Sequence, residues 1–202
     1  DLYVTDPIGK NTLYRNKGDG TFQVSEFNDQ VLLTNTYSQG ATFADYDNDG
    51  WKDIYITNGL RRDISDWDYR EFYMDSINKV MAMGSKVNLA EWFSHIPSVR
   101  IQNYFFHNNS TLKFDNYSQT WSDAPPSFSN GAAYADFDND GDLDLVVNNN
   151  DDEAFILKNN QNEINPSQYL RFRFFQNSEM KQEVYGTIVK QKNKKGNLQM
   201  QH

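Results

Sequence analysis

Two stretches of this 202-residue chain repeat one another: Ser38 to Gly59 (SQGATFADYDNDGWKDIYITNG) and Ser129 to Asn150 (SNGAAYADFDNDGDLDLVVNNN), identical at 11 of 22 aligned positions. Each contains D-x-D-N-D-G-x-x-D. Asp45, Asp47, Asp49 and Asp53 place four carboxylates within nine residues, and Asp136, Asp138, Asp140 and Asp144 do the same. That density repels itself unless a hard cation with oxygen ligands sits among the carboxylates, so calcium is expected at both loops.

An EF-hand also begins with alternating Asp/Asn and a Gly at the sixth position, but it needs a bidentate Glu at the twelfth. Counting from Asp45 gives Ile56 there, and from Asp136 gives Val147, both apolar. The flanks are β-branched and aromatic runs (ATFADYD before, DIYIT or DLDLVV after), of strand type rather than amphipathic helix. The pattern is therefore a strand-loop-strand site closed by the Asp at position nine.

With that pattern the chain resembles the FG-GAP (VCBS) repeats of integrin α-like β-propellers, whose hairpin loops carry D-x-D-x-D-G-x-x-D. The resemblance implies an all-β fold, a partial β-propeller, and two calcium sites. It implies side-chain ligands at positions one, three, five and nine and a backbone carbonyl at seven. Carried onto this sequence, the sites are Asp45, Asp47, Asp49, the carbonyl of Trp51 and Asp53, then Asp136, Asp138, Asp140, the carbonyl of Asp142 and Asp144. Asn48 and Asn139, at position four, are expected to shape the turn, because Asn tolerates left-handed backbone geometry.

Composition adds limits. The formal charge is −9, yet without the eight loop aspartates 20 acidic residues face 19 basic ones, so the acidity belongs to the loops. Residues 167 to 202 carry seven Lys/Arg against Glu179 and Glu183. Such an asymmetry can mark a nucleic-acid tail, but Lys192 to Gly196 (KNKKG) reads better as an exposed turn whose lysines discourage edge pairing, so no nucleic-acid partner is expected. No cysteine is present, which excludes a disulfide framework. No apolar run approaches a membrane span and no signal peptide is read.

Asp1 opens D-L-Y-V-T-D, which aligns with D-I-Y-I-T-N at Asp53 and makes Asp1 the ninth position of a third, truncated calcium loop. A segment of a longer propeller chain is expected. Asp1 to Asp53 spans 52 residues and Asp53 to Asp144 spans 91, an excess of 39. A second repeated element, NTLYRNKGDGTF (Asn11 to Phe22), matches NYFFHNNSTLKF (Asn103 to Phe114), and AFILKNN (Ala154 to Asn160) begins a third copy. Each reads as strand, tight turn, strand, and radial repetition of such units gives propeller blades. The organisation expected is blades over 1–59 and 101–166, a helical insertion over 60–100, and a C-terminal β module over 167–202.

In the insertion Tyr69, Phe72, Tyr73, Ile77, Val80 and Met81 fall at helical spacing, with Ser65 placed to cap the start and Gly84 the end. A second helix is expected over Leu89 to His95, before Pro97. Two readings of the insertion stand: a helical lid that forms a binding surface on one propeller face, as long insertions between strands often do, and, preferred for any single residue, packing of Trp67, Trp92 and the apolar stripe on the neighbouring blade. The C-terminal runs YLRFRFF, EVYGTIVKQ and LQMQ suggest three strands. They resemble a partial ASPIC/UnbV-type module of cartilage-acidic-protein-like proteins, through Gly186 and Val189.

Catalysis finds little support. His95, His107 and His202 stand isolated in the sequence, no nucleophile or phosphate-binding motif appears, and the close aspartates are assigned to metal. The expectation is a non-enzymatic recognition module, secreted or on a cell surface, that binds a glycan or protein. The 15% aromatic content supplies contact surface, and Trp51 leaves a metal loop as a candidate contact residue. The alternative is an accessory propeller of a carbohydrate-active enzyme such as a polysaccharide lyase.

Overall fold

The computed structural model describes residues 1–7, 9–33, 36–61, 67–84, 88, 94–96, 98–109, 113–166, 189–192 and 198–201. Among them, short strands dominate: β1 (Leu2–Val4), β2 (Thr12–Asn16), β3 (Phe22–Val24), β4 (Ser38–Ala44), β5 (Asp53–Asn58), β6 (Tyr104–Asn108), β7 (Phe114–Asn116), β8 (Ser129–Ala135), β9 (Asp144–Asn149), β10 (Phe155–Leu157), β11 (Val189–Lys192) and β12 (Leu198–Gln201). Every pairing is antiparallel. The sheets run β1-β2-β3, β4-β5-β6-β7, β8-β9-β10 and β11-β12. This is a partial all-β propeller-like fold, with one four-stranded blade between two three-stranded ones.

Register makes the blades superimposable. Ile54 pairs with Phe106, Leu2 with Tyr14 and Leu145 with Leu157, so Asp1, Asp53 and Asp144 occupy one position at the head of equivalent strands. The same irregularity recurs between Ser38 and Gly40 and between Ser129 and Gly131. A repeated bulge marks a shape built into the repeat rather than a local accident.

The central blade is buried on both faces because side chains alternate across a strand. All six residues of β5 are buried. Ile54 and Ile56 join Tyr3, Leu13, Val31, Phe106 and Phe114 in the core toward the first blade. Tyr55 points the other way, to Ala44, Tyr46, Phe105, Leu145 and Val147 in the core toward the third. Burying an Ile or Phe side chain stabilises by about 1.5–3 kcal/mol, so these two layers bind the blades to one another.

The insertion leaves the sheet at Leu60, which bridges antiparallel to Val99. It contains α1 (Trp67–Ala82). Gly84 follows the helix with φ +72°, and its amide donates to the Met81 carbonyl at 2.9 Å, so it ends the helix as expected. Trp67 does not pack on a blade. It is 69% exposed, and the Arg70 guanidinium lies 5.5 Å from its ring centroid. Phe72 and Met81 are exposed as well, and among the described residues α1 makes no extensive contact with a strand that would cover its apolar stripe. Ser65, Trp92 and most of the Leu89 to His95 helix lie outside the described residues, as do residues 193–196 of the KNKKG turn, the first of the three C-terminal strands and residues 183–188 of the second. Of that region the β11-β12 hairpin is described, with Val189 opposite Gln201.

Candidate metal loops

The two acidic loops join β4 to β5 and β8 to β9. Each turns through an Asn in left-handed geometry, Asn48 at φ +61° and Asn139 at φ +64°, followed two residues later by Gly50 and Gly141 at φ +96°. These values explain the Asn-x-Gly spacing, since Asn and Gly tolerate positive φ at least cost.

Within the first loop the carboxylates are aimed inward by backbone amides. Asp45 accepts from Asp49 N at 3.1 Å and Gly50 N at 2.9 Å, Asp47 from Asp49 N at 3.3 Å, and Asp49 from Trp51 N at 2.8 Å. The second loop repeats part of this, with Asp140 N donating to Asp138 and Asp142 N to Asp140, both at 3.2 Å. Oxygens of Asp45, Asp47 and Asp49 lie within 4.8 Å of one another, as do those of Asp136, Asp138 and Asp140. The structure thus gathers positions one, three and five in both loops, an all-oxygen donor set suited to a hard divalent cation.

Position nine behaves differently. Asp53, fully buried, accepts from Tyr46 N at 3.0 Å and from Asn108 N at 2.9 Å. Asp144 accepts from Phe137 N at 3.0 Å and Asn159 N at 2.8 Å. Asp1 accepts from Asn16 N at 2.9 Å. All three therefore tie the strand that follows the loop to the next strand of the blade, a structural duty that the ligand reading overlooked. Asp53 also lies within 4.8 Å of ligand atoms of Asp47 and His107.

Position seven separates the two loops. Trp51 is 46% exposed and lines a cleft toward the first blade with Tyr14, Arg15 and Phe114. Asp142 is fully buried, and one of its oxygens accepts from Asn162 N at 3.0 Å in α2 (Gln161–Ile164), while Asn162 Nδ2 donates to the Asp140 carbonyl at 2.8 Å. The other oxygen, Oδ1, is buried without a hydrogen-bond partner.

Electrostatic tension is visible in both loops. Burial first, then the neighbouring Asp49 and Asp47, push Asp45 up to about 6. Burial pushes Asp53 up to about 7. Burial and Asp49 also raise Asp47, against the pull of His107. In the second loop burial pushes Asp142 up to about 6, while Lys158 is raised chiefly by its bond to Asp138. A divalent cation relieves this tension by favouring the ionised carboxylates, so the residues present fit such an ion.

His107 is the residue that sequence reading missed. It stands alone in sequence but not in space, with Nε2 at 3.0 Å from Asp47 Oδ2 and 3.7 Å from Asp49 Oδ2. Lys158 holds the same register position in the third blade, its Nζ 3.0 Å from Asp138 Oδ2 and 3.8 Å from Asp140 Oδ2. The signal was present in the second repeated element, where Arg15, His107 and Lys158 each immediately precede an Asn (Asn16, Asn108, Asn159).

The third blade reaches across to the first of these loops. Asn159 Nδ2 donates to the Tyr46 carbonyl at 2.6 Å and Gln161 Nε2 to the Asp47 carbonyl at 3.0 Å. Between the two blades lies a cleft of about 240 Å³, with Tyr46, Phe105 and Trp121 on its wall and Asp47, Lys158 and Gln161 among its polar lining. Phe105 and Trp121 meet edge to face, 5.8 Å apart.

The profile of the FG-GAP-like repeat matches residues 1–56 and 98–147, together just over half of the chain. The first of these ranges ends within β5 and the second within β9, so the match includes both acidic loops and omits residues 57–97 and 148–202. Among the curated proteins, none matches the chain significantly.

Proposed function

Since the chain belongs to the FG-GAP-like repeat family, we propose that it is a calcium-binding propeller segment that recognises a glycan outside the cell and has no catalytic activity of its own. The observation that carries the metal part is the gathering of three carboxylates within 4.8 Å in each of two equivalent loops. Asp45, Asp47 and Asp49 would hold one ion and Asp136, Asp138 and Asp140 the other, with Asp53, Asp144 and the carbonyls of Trp51 and Asp142 completing the shells. The ion would supply positive charge that fixes each loop against its blade.

Recognition rests on the cleft between the second and third blades. An aromatic wall beside convergent polar groups is the chemistry that stacks a sugar ring and hydrogen-bonds its hydroxyls. The Asp47 loop lines that cleft, so calcium binding and ligand binding share one structural element. A protein ligand on the exposed Trp51 side is the competing occupant. Location outside the cell fits a family whose repeats are typical of extracellular proteins, and fits the millimolar calcium found there. No helix among the described residues is long and apolar enough to cross a membrane. The ASPIC/UnbV-like reading of residues 167–202 stays a proposal carried by Gly186 and Val189, since the family match does not reach that region.

A glycan array probed in millimolar calcium, followed by chemical-shift mapping with the strongest hit, tests the proposal. Shifts at the Trp121 indole and the Gln161 amide would support it. An array without binders, or shifts confined to the Trp51 side, would contradict it.

A further inference from the structure

One register position faces the acidic loop in both complete hairpins, and its occupant differs: an imidazole at 107 and an ammonium at 158. The ammonium of Lys158 is a permanent counter-cation, held by Asp138 at 3.0 Å and by Glu163 at 3.2 Å. It offers no lone pair while charged. The imidazole of His107 is a potential donor to a metal, and its surroundings keep it available. Both ring nitrogens are buried and neither makes a hydrogen bond, the 3.0 Å approach of Nε2 to Asp47 being misaligned for one. What orients the ring is aromatic packing, with Tyr117 at 5.0 Å and Trp121 at 5.5 Å between centroids. Buried ring nitrogens without hydrogen bonds are costly to keep, and here Nε2 lies beside two carboxylates, 3.0 Å from Asp47 Oδ2 and 3.7 Å from Asp49 Oδ2.

We propose that His107, Asp47 and Asp53 form a mixed imidazole-carboxylate site that takes a borderline divalent cation such as zinc, whereas the second loop, with Lys158 in place of the imidazole, takes only hard cations. The inference rests on the reading of these loops as metal-binding. Ligand atoms of the three residues lie within 4.8 Å of one another, and imidazole and carboxylate oxygen are the donors zinc accepts at about 2.0–2.2 Å. Asp47 belongs to this triad and also to the Asp45, Asp47, Asp49 group. The two ions therefore compete at the first loop, and zinc there displaces calcium. The second loop keeps its calcium.

Equilibrium dialysis of the whole chain with Zn²⁺ alone and with Ca²⁺ alone tests this, using wild type, His107→Gln and, as a control for adventitious imidazole, His95→Gln. Zinc affinity should fall at least about tenfold in H107Q and hold in H95Q, while both variants still take two calcium ions. In the wild type, one equivalent of zinc should move the His107 ring signals in a nitrogen-detected imidazole spectrum and release one of the two calcium ions. Unchanged zinc binding in H107Q, or His107 ring signals that ignore zinc, would overturn the proposal, and the spectrum decides the matter even if the variant folds poorly. Failure of the calcium reading would show separately, as absence of calcium binding in the wild type.

Discussion

Asn103 Nδ2 donates to Ser129 Oγ at 2.9 Å, from the second blade to the third. Asn11 Nδ2 makes the same bond to Ser38 Oγ at 2.8 Å, from the first blade to the second. Each serine passes the chain on within its own blade, Ser38 to Asn58 Oδ1 and Ser129 to Asn149 Oδ1, both at 2.7 Å. Both serines are fully buried. The relay explains why Ser and Asn recur at opposite ends of the duplicated stretch: they are the polar rivets between blades. Ser129→Ala leaves Asn103 and Asn149 with buried, unpaired groups, and should lower stability by about 1–3 kcal/mol in urea denaturation. A loss below about 0.5 kcal/mol would show that the relay is dispensable.

The paired glycines give a sharper contrast. A Cβ at Gly40 would lie 3.1 Å from the Asn130 carbonyl of the next blade, whereas a Cβ at Gly131 would meet nothing within 4 Å. Gly40→Ala should cost about 1–3 kcal/mol by overpacking, and Gly131→Ala should change stability little. Equal effects in parallel thermal melts would contradict the blade packing.

How much of this was legible in the sequence follows from range. The loops were legible because Asp47, Asn48, Asp49 and Gly50 act within one turn, where spacing alone sets geometry. Asp1 was recognisable as a ninth-position residue because its strand repeats DIYIT, and the Asn16 amide on its carboxylate agrees. His107 was not legible, because the contact with Asp47 crosses 60 residues and depends on the pairing of β5 with β6. Trp67 misled for the opposite reason: an apolar stripe shows that a helix has a face to bury, and not whether a sheet lies opposite.

The ninth-position aspartates should matter even without metal. Asp144→Ala removes the acceptor of two backbone amides, Phe137 N and Asn159 N. It should destabilise the chain in chelator by about 1–3 kcal/mol and also weaken calcium binding at the second loop alone. Calorimetry that found both sites undisturbed in this variant would exclude Asp144 from the site.

Acidity should act oppositely with and without calcium. Asp53 and Asp45 are raised to about 7 and about 6, mainly by burial, against about 3.9 in an unfolded chain. Between those values the native state holds more protons than the unfolded state, so in chelator stability falls as pH rises from 5 to about 7.5. Asp19 and Asp140, held below their ordinary value by hydrogen bonds, stay ionised in both states over this window and do not oppose the trend. In calcium the trend reverses, because the ion binds ionised carboxylates. A chelated melting point that climbs from pH 5 to 7.5 would contradict the assignment.

Calcium titration calorimetry on the full chain bears most directly on the loops. Two ions should bind, Asp45→Asn should remove the first and Asp136→Asn the second, and the melting point should rise with calcium in the wild type. A wild-type protein that takes up no calcium, and melts at the same temperature in millimolar calcium as in excess chelator, would show that the two acidic turns are not metal sites.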